Sequence, residues 1–342
     1  MLSTSFPRKR RQDRSYSDQE TSIRIFLKHH TCYDLIPVNS KLIVFDQSLN
    51  VQKAFFALIY NDIRAAVLWN SHSQNYIGML TVTDFIQILV YFYKPQKPIQ
   101  DLEFQNISDW RTINSKTLPT SFFYIPSDCS LLEATVKLLR HKIHRLPVLN
   151  PINGDVLHIL SHKRILKYII MNIDSLPNLD VFLNKKLKDV KLGTFMPNCM
   201  TANDDFSLIY ALKLFISRRI SCLPIVEKGT NKIKDIYTKF DVINLAATKT
   251  YYNLDVPLSE ALNMRNSTRN AMKHLVIATM ENSIFQIMKL LGDTGVHRIL
   301  IVDQDLHLLG IVSLSDVLNF CLKPLTETFS QLKPNVLMEL AE

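Results

Sequence analysis

Glycine is scarce, with 7 among 342 residues. The chain has no GxxxxGK[ST] and no GxGxxG, so neither glycine-rich phosphate loop is available. Collagen-like and glycine-rich low-complexity chains are excluded as well. Cysteine is sparse too. The five (Cys32, Cys129, Cys199, Cys222 and Cys321) are odd in number and form no CxxC. No disulfide framework or thiolate metal site is expected, and the usage reads as that of a reducing compartment. Apolar runs such as AFFALIY at 54–60 end within about two helical turns, short of the ~20 residues a membrane span needs. The basic N-terminus lacks an apolar h-region, so no secretory leader is expected. HExxH, GxSxG and the kinase HRD and DFG signatures are all missing. No catalytic constellation emerges, and no chemistry on a substrate is expected.

What the chain has is apolar bulk and an excess of positive charge. Hydrophobic residues make up 47%, enough for two domains of ordinary size. Lys and Arg number 40 against 31 Asp and Glu, a formal net charge of +9. Part of that excess is the run RKRRQDR at 8–14. It can be a nuclear address or a nucleic-acid contact, but the favoured reading is a solvated, disordered tail over 1–30.

The organising signal is a fourfold internal repeat. IRAAVLW (63–69), IHRLPVL (143–149), ISCLPIV (220–226) and VHRILIV (296–302) are each followed by a second run ending in a polar residue: GMLTVTD (78–84), HILSHKR (158–164), DIYTKFD (235–241) and GIVSLSD (310–316). Arg64, His144, Ser221 and His297 are equivalent at separations of 80, 77 and 76 residues. Asp84, Arg164, Asp241 and Asp316 are equivalent at 80, 77 and 75. Within each repeat the two marks stand 20, 20, 20 and 19 residues apart.

Periodicity gives the shape of one repeat. LLEATVKLLRHK (131–142) carries Leu131, Leu132, Val136, Leu138 and Leu139 close to one helical face. Two short strands follow, joined in repeat two by an Asn153-Gly154 turn, and a second helix starts beside the terminal Asp. A short entry strand, such as SFFYI at 121–125, completes a unit of the α/β (α+β) class. Such a unit is too small to stand alone. The polar linkers at 95–114 and 173–190 pair repeats one (35–95) and two (115–172), then three (190–250) and four (268–323), with a C-terminal tail over 324–342.

IHRLPV (143–148), LSHKRILK (160–167), KFDVINLAATKTY (239–251), NLDVPLSEAL (253–262) and GIVSLSDVL (310–318) carry a family resemblance. The four units resemble cystathionine β-synthase (CBS) motifs, whose pairs form Bateman modules. Their order is similar to that of the γ regulatory subunits of AMP-activated protein kinase, of the fungal, sucrose-nonfermenting type. The resemblance spans about Tyr33 to Lys323. It implies two Bateman modules in a pseudo-symmetric disc. It also implies AMP, ADP or ATP as ligands, no metal, and a heterotrimer with a catalytic α and a scaffolding β subunit. The location it suggests is cytoplasm and nucleus; membrane and nucleic acid are not expected partners. Another reading stays open: a CBS scaffold, or a module for a different adenosyl ligand such as S-adenosylmethionine, without energy sensing.

The resemblance assigns roles residue by residue. Asp84, Asp241 and Asp316 would accept from the two ribose hydroxyls, and Arg164 marks an altered fourth site. Each Asp can equally be a helix cap. Arg64, His144, Arg145, Lys163, His297 and Arg298 would converge on phosphate, with Arg265, expected in a loop-like linker, as a further contact. A lone Arg of this kind is more often a solvated cation; the recurrence of His-Arg in repeats two and four favours phosphate. Thr81, Thr83, Ser221, Thr238, Ser313 and Ser315 offer hydroxyls that can instead cap helices. Met79, Ile220, Phe240 and Leu314 would frame adenine together with the flanking Leu80, Val82 and Lys239, and Thr194 and Val276 fit the same purpose. The loop 266–273 departs from the family pattern.

Overall fold

The computed structural model describes residues 22–39, 41–95, 105–115, 122–177, 179–190, 192–247, 253–268 and 275–322. The basic run at 8–14 and the segment 324–342 lie outside the described residues, as does the stretch 269–273 of the divergent loop.

Order along the chain follows the repeat. A helix over 22–29 (α1) comes first. Repeat one contributes β1 (Val44–Asp46), α2 (Val51–Tyr60), β2 (Ala65–Asn70), β3 (Asn75–Thr81) and α3 (Val82–Phe92). A linker helix α4 (Ile107–Ser115) leads into repeat two: β4 (Ile125–Pro126), α5 (Leu131–Arg140), β5 (Arg145–Leu149), β6 (Val156–Ser161) and α6 (His162–Met171). The short α7 (Asp180–Leu183) and β7 (Thr194–Phe195) precede the α8 (Leu208–Ser217), β8 (Cys222–Val226), β9 (Ile233–Thr238) and α9 (Val242–Ala247) of repeat three. Then α10 (Leu258–Thr268) leads to repeat four, with β10 (Ile277–Ala278), α11 (Ile284–Thr294), β11 (Arg298–Val302), β12 (Leu308–Ser313) and α12 (Leu314–Cys321).

Local chemistry explains these boundaries. Asn50, Ser130 and Ser283 cap the first helix of repeats one, two and four, each side chain accepting the N–H three residues on. Those helices and α8 end on a residue with positive φ, at Asp62, Lys142, Arg219 and Gly295, which turns the chain into the first strand. In β6 and β12 every second residue is buried, as a sheet with one covered face requires. In repeats one, two and four a parallel entry strand and an antiparallel hairpin make the sheet.

Repeat three is different. Its parallel entry contact shrinks to the bridge Ala202–Ile225, while β7 adds to the far edge of the repeat-four sheet, antiparallel to β12. Two glycines permit this. A Cβ on Gly193, held at φ +108°, would sit 2.5 Å from the Ile311 carbonyl, and one on Gly310 would sit 2.5 Å from the Phe195 ring.

The repeats bury their apolar faces in a ring. The sheets of repeats one and two meet through Val67, Leu149 and Val156. Those of three and four meet through Cys199, Cys222, Val226, Leu300 and Leu308. These are the expected pairings, but the larger cores run across them. Helices α2 and α3 of repeat one pack on α9 and α8 of repeat three, and α6 of repeat two packs on α11 and α12 of repeat four.

Each linker element crosses to the other member of its pair. The segment before repeat one packs on repeat two through Ile23, Phe26, Leu27 and Leu35. The α4 helix before repeat two packs on repeat one through Ile107 and Trp110. Leu179, Phe182 and Leu187 join repeat four, and Leu258, Ala261 and Leu262 join repeat three. One backbone bond recurs in all four places. The N–H of the first residue of a repeat's helix donates to a crossing segment: Val51 to Gln105 at 2.9 Å, Leu131 to His30 at 2.8 Å, Leu208 to Val256 at 3.0 Å and Ile284 to Lys185 at 2.9 Å. A helix N-terminus leaves such donors orphaned, and here the partner repeat's linker supplies the acceptor.

The tail expected over 1–30 is therefore corrected for 22–29, which form a helix with a buried apolar face, and the linker at 95–114 contains a packed helix. Leu27→Ala is expected to lower stability by about 2–5 kcal/mol because Leu27 is fully buried. Denaturant unfolding measures it, and a change under 0.5 kcal/mol, the range ~0.5 kcal/mol typical of surface substitutions, would return this segment to the tail.

Candidate functional site

The hairpin register explains the 20-residue spacing. Ala65 pairs with Thr81, Arg145 with Ser161, Cys222 with Thr238 and Arg298 with Ser313. The start of each first strand, with its cation or hydroxyl, thus lies beside the residue that caps each second helix. Because the repeats close a ring, the four strand starts face a common interior.

There the cations converge. Arg64 Nη1 donates to His297 Nε2 at 2.6 Å, and its guanidinium lies 4.2 Å from the centroid of the Phe240 ring. Arg298 Nη1 donates to the Ser221 carbonyl at 2.9 Å, and Nη2 donates to Ser221 Oγ. The Nδ1 atoms of His144 and His162 face each other at 3.5 Å. Lys239 Nζ donates to Thr83 Oγ1 at 3.4 Å.

The electrostatics are those of crowded like charge. Burial, then Arg64, Arg298, Arg145 and His144, push His297 down to about 2. Burial, then Arg298, Arg145 and Lys239, push His144 down to about 4. Burial followed by His144 and Arg145 takes His162 to about 3. Arg145 is lowered to about 10 by burial and then Arg64. Lys239 is lowered to about 8, by burial first and Arg298 second. Every shift favours shedding positive charge, so an anion bound here would relieve all of them together.

Three cavities open around this hub, and His144 and His297 line all three. Cavity A, about 360 Å³, lies between repeats one and two and includes Lys41, Arg64, Arg145, Lys163 and Arg164. Cavity B, about 290 Å³, is central; Arg64, Thr81, Val82, Thr83, Arg145, Ser221, Thr238, Lys239, Phe240 and Arg298 line it without any carboxylate. Cavity C, about 290 Å³, lies between repeats three and four and takes in Thr194, Ile220, Ser221, Arg298, Ser313, Leu314, Ser315 and Asp316. Thr194 arrives there because β7 has joined the repeat-four sheet.

The three aspartates do cap helices. Asp84 Oδ2 accepts from Thr81 N and Oγ1, Asp241 Oδ2 from Thr238 N and Oγ1, and Asp316 Oδ2 from Ser313 N and Oγ. In each capping box the bonds fall on Oδ2, so a cap does not consume the whole carboxylate. Burial pushes the Asp84 carboxyl up, against the lowering by its Thr81 bonds. Of the three, Asp316 lines one of the cavities A to C; Asp84 and Asp241 line none of them. In repeat two Ser161 makes no side-chain cap, consistent with Arg164 standing in place of the acid.

Arg265 corrects an expectation. It sits on α10, not in a loop, and is 1% exposed. Its Nη2 donates to Asp235 Oδ2 at 2.6 Å, its Nη1 donates to the Ile236 carbonyl at 2.8 Å, and Asp241 Oδ2 is 3.8 Å away. It lines none of the three cavities and ties α10 to β9. Met79, Leu80 and Val276 line none of them either. Leu80 is simple core between repeats one and three, and Val276 packs, partly buried, on the separate core of repeats two and four. Sequence reasoning missed Lys41, His158 and His162 in cavity A and Arg219 in cavity C. The histidines sit in LHILSHKR, one on β6 and one opening α6. Among the described residues, no group of three or more His, Cys, Asp or Glu could hold a metal ion, and no helix is long and apolar enough to cross a membrane.

Fold and site together define a protein of tandem repeats around a cation-lined hub. The CBS domain profile matches residues 116–171, 188–248 and 270–323, and the chain belongs to that family. Repeat one, outside the match, has the same strand and helix order. The chain is 40% identical over 294 residues to the 5'-AMP-activated protein kinase subunit gamma-3 of Homo sapiens, covering 86% of this chain and 59% of that protein. The gamma-3 subunit of Sus scrofa is also 40% identical, with 86% and 56% covered. The chain thus spans under two thirds of the length of these relatives. The crystal structure of protein MJ1225 from Methanocaldococcus jannaschii has the same fold at a TM-score of 0.66 and 14% identity, covering 85% of this chain and 99% of that one.

Two outcomes follow from the geometry. Arg265→Met removes the cation from a buried pair and is expected to cost about 3–5 kcal/mol, with phosphate-ligand affinity in the folded fraction unchanged. An affinity loss matching that of a hub arginine would make Arg265 a ligand contact. The second outcome concerns pH. His144, His162 and His297 titrate lower when folded than the ordinary histidine value near ~6.5, so the unfolded state binds more protons as pH falls below that value. Stability is therefore lost on acidification, each of these histidines contributing up to about 2 kcal/mol at pH ~5. Asp84, raised on folding, works in the opposite sense. The thermal midpoint of the unliganded protein should fall between pH 7 and 5, with a shallower slope in pyrophosphate; a flat profile would contradict the charge crowding.

Proposed function

We propose that this chain is the adenine-nucleotide-binding γ regulatory subunit of a heterotrimeric AMP-activated protein kinase of the sucrose-nonfermenting type. In this reading it is non-catalytic, senses AMP and ADP against ATP, and works with a catalytic α and a scaffolding β subunit in cytoplasm and nucleus. The observation that carries the reading is cavity B, where Arg64, Arg145, Lys239 and Arg298 from all four repeats meet without a facing carboxylate. The likeness to gamma-3 subunits over 86% of the chain supports it.

The mechanism follows from charge and reach. AMP, ADP and ATP share adenosine and differ in the length and charge of the phosphate tail. A strand-edge arginine forks onto phosphate bidentately, while Lys239 acts as a point charge. Because His144 and His297 border all three cavities, a phosphate in one changes the charge felt in the others. A ligand shifts a conformational equilibrium only by its difference in affinity between states. Coupling of about 1–3 kcal/mol, or roughly 5–150-fold, suits residues shared this closely. The partner kinase would read the resulting state through the γ surface.

Arg298 borders cavities B and C and holds Ser221 in place. Arg298→Ala is expected to weaken AMP and ATP by about 10–100-fold, the worth of a charged hydrogen bond of about 1.5–3 kcal/mol, with a smaller effect on unfolding. Titration calorimetry with AMP, ATP and S-adenosylmethionine checks it. Silence with every adenine nucleotide removes the energy-sensing reading. S-adenosylmethionine binding alone moves the protein to the other adenosyl class.

A further inference from the structure

Cavity A is built differently from the other two. At the place where repeats one, three and four carry an aspartate, repeat two carries Arg164, and this residue faces into the cavity. Lys41, Arg64, Arg145 and Lys163 line the same space, against one carboxylate, Asp62. The second helix of the repeat starts at the cavity wall without a side-chain cap from Ser161. His162, its first residue, is 4% exposed, and its Nε2 is a buried polar atom with no hydrogen-bond partner. A buried ring nitrogen of this kind is costly when left without a partner, and His162 lines both cavity A and cavity C.

We propose that cavity A is a separate site for a compact inorganic oligophosphate, of the pyrophosphate or tripolyphosphate class. A nucleoside is disfavoured there because the wall offers cations where a ribose-accepting carboxylate would stand. A tripolyphosphate spreads several charges over a short chain, which matches five cations drawn from repeats one and two. Arg64, Arg145, His144 and His297 are shared with cavity B, so an oligophosphate in A also alters the charge available to a ligand in B. The triphosphate tail of a nucleotide seated in B has the same chemistry, and the test must separate the two sources. The site does not depend on the nucleotide reading.

Calorimetry on the full chain uses sodium tripolyphosphate, AMP and ATP as separate titrants. The variants are Arg164→Glu, Lys41→Glu and Arg298→Ala. Lys41 is exposed, so its variant keeps the test valid should Arg164→Glu fail to fold. The expected result is a loss of tripolyphosphate affinity of at least about 10-fold on reversing either charge, since charged hydrogen bonds are worth about 1.5–3 kcal/mol. AMP affinity should then stay within about twofold, and Arg298→Ala should show the opposite pattern. Tripolyphosphate bound by a chain that ignores AMP would support the site while removing the nucleotide reading. Three results would overturn the proposal: no tripolyphosphate binding by the unaltered chain, unchanged affinity in both charge reversals, or equal loss in Arg298→Ala. Loss of ATP but not tripolyphosphate affinity in Lys41→Glu would show that cavity A holds only a nucleotide's tail.

Discussion

Mutual repulsion among the hub cations is the constraint on which the molecule turns. Two unit charges about 4 Å apart repel by about 4 kcal/mol in surroundings of intermediate polarity. Arg64, Arg145, Lys239 and Arg298 line one cavity without a carboxylate, and neighbouring arginines help to lower His144, His297 and Lys239. The histidines take up part of the strain by staying neutral: His297 accepts from Arg64 through Nε2, which it can do only unprotonated. Phe240 takes up another part, its ring face under the Arg64 guanidinium. These accommodations keep crowded cations together, and they show how a scaffold with no catalytic motif gathers perturbed histidines, an arginine and a lysine around one hub.

Such a hub needs a frame that does not relax apart, and the crossing linkers provide it. Each repeat is too small to hold its own core. Each gives its preceding segment to the neighbour and receives one in return, sealed by the same backbone bond at four helix starts. The cores then tie repeat one to three and two to four, while the sheet contacts tie one to two and three to four. Separating any two neighbouring repeats of the ring exposes either a sheet face or a helix face. Strain at the centre is thereby set against apolar burial around the rim, the usual way strained functional groups are sustained.

The repeat, its helix–strand–strand–helix order and the meeting of cations were all legible in the sequence. They rest on periodicity and on one fixed 20-residue interval, and the hairpin register turns that interval into proximity. What was not legible depends on partners distant in sequence. The α1 segment reads as tail because Ile23, Phe26 and Leu27 follow a polar, basic run, and nothing local says that repeat two covers them. Arg265 looks like a ligand contact until Asp235 and Asp241 are seen around it. Thr194 reaches cavity C only because Gly193 and Gly310 let β7 lie against β12, a closeness no pattern of side chains announces.

Duplication also explains why the sites need not be alike. Once four copies close a ring, a change in one copy leaves the frame intact, because the frame uses helix faces and the site uses strand starts and helix caps. Ser221 replaces histidine in repeat three and anchors Arg298 instead of adding charge. Arg164 replaces aspartate in repeat two, and α6 still forms because its apolar face, Ile165, Leu166 and Ile169, is buried. Tertiary packing carries the helix where its cap has gone. The position most informative about ligand chemistry is therefore one the fold tolerates losing, and that freedom lets one ring hold cavities of different electrostatic character around shared histidines.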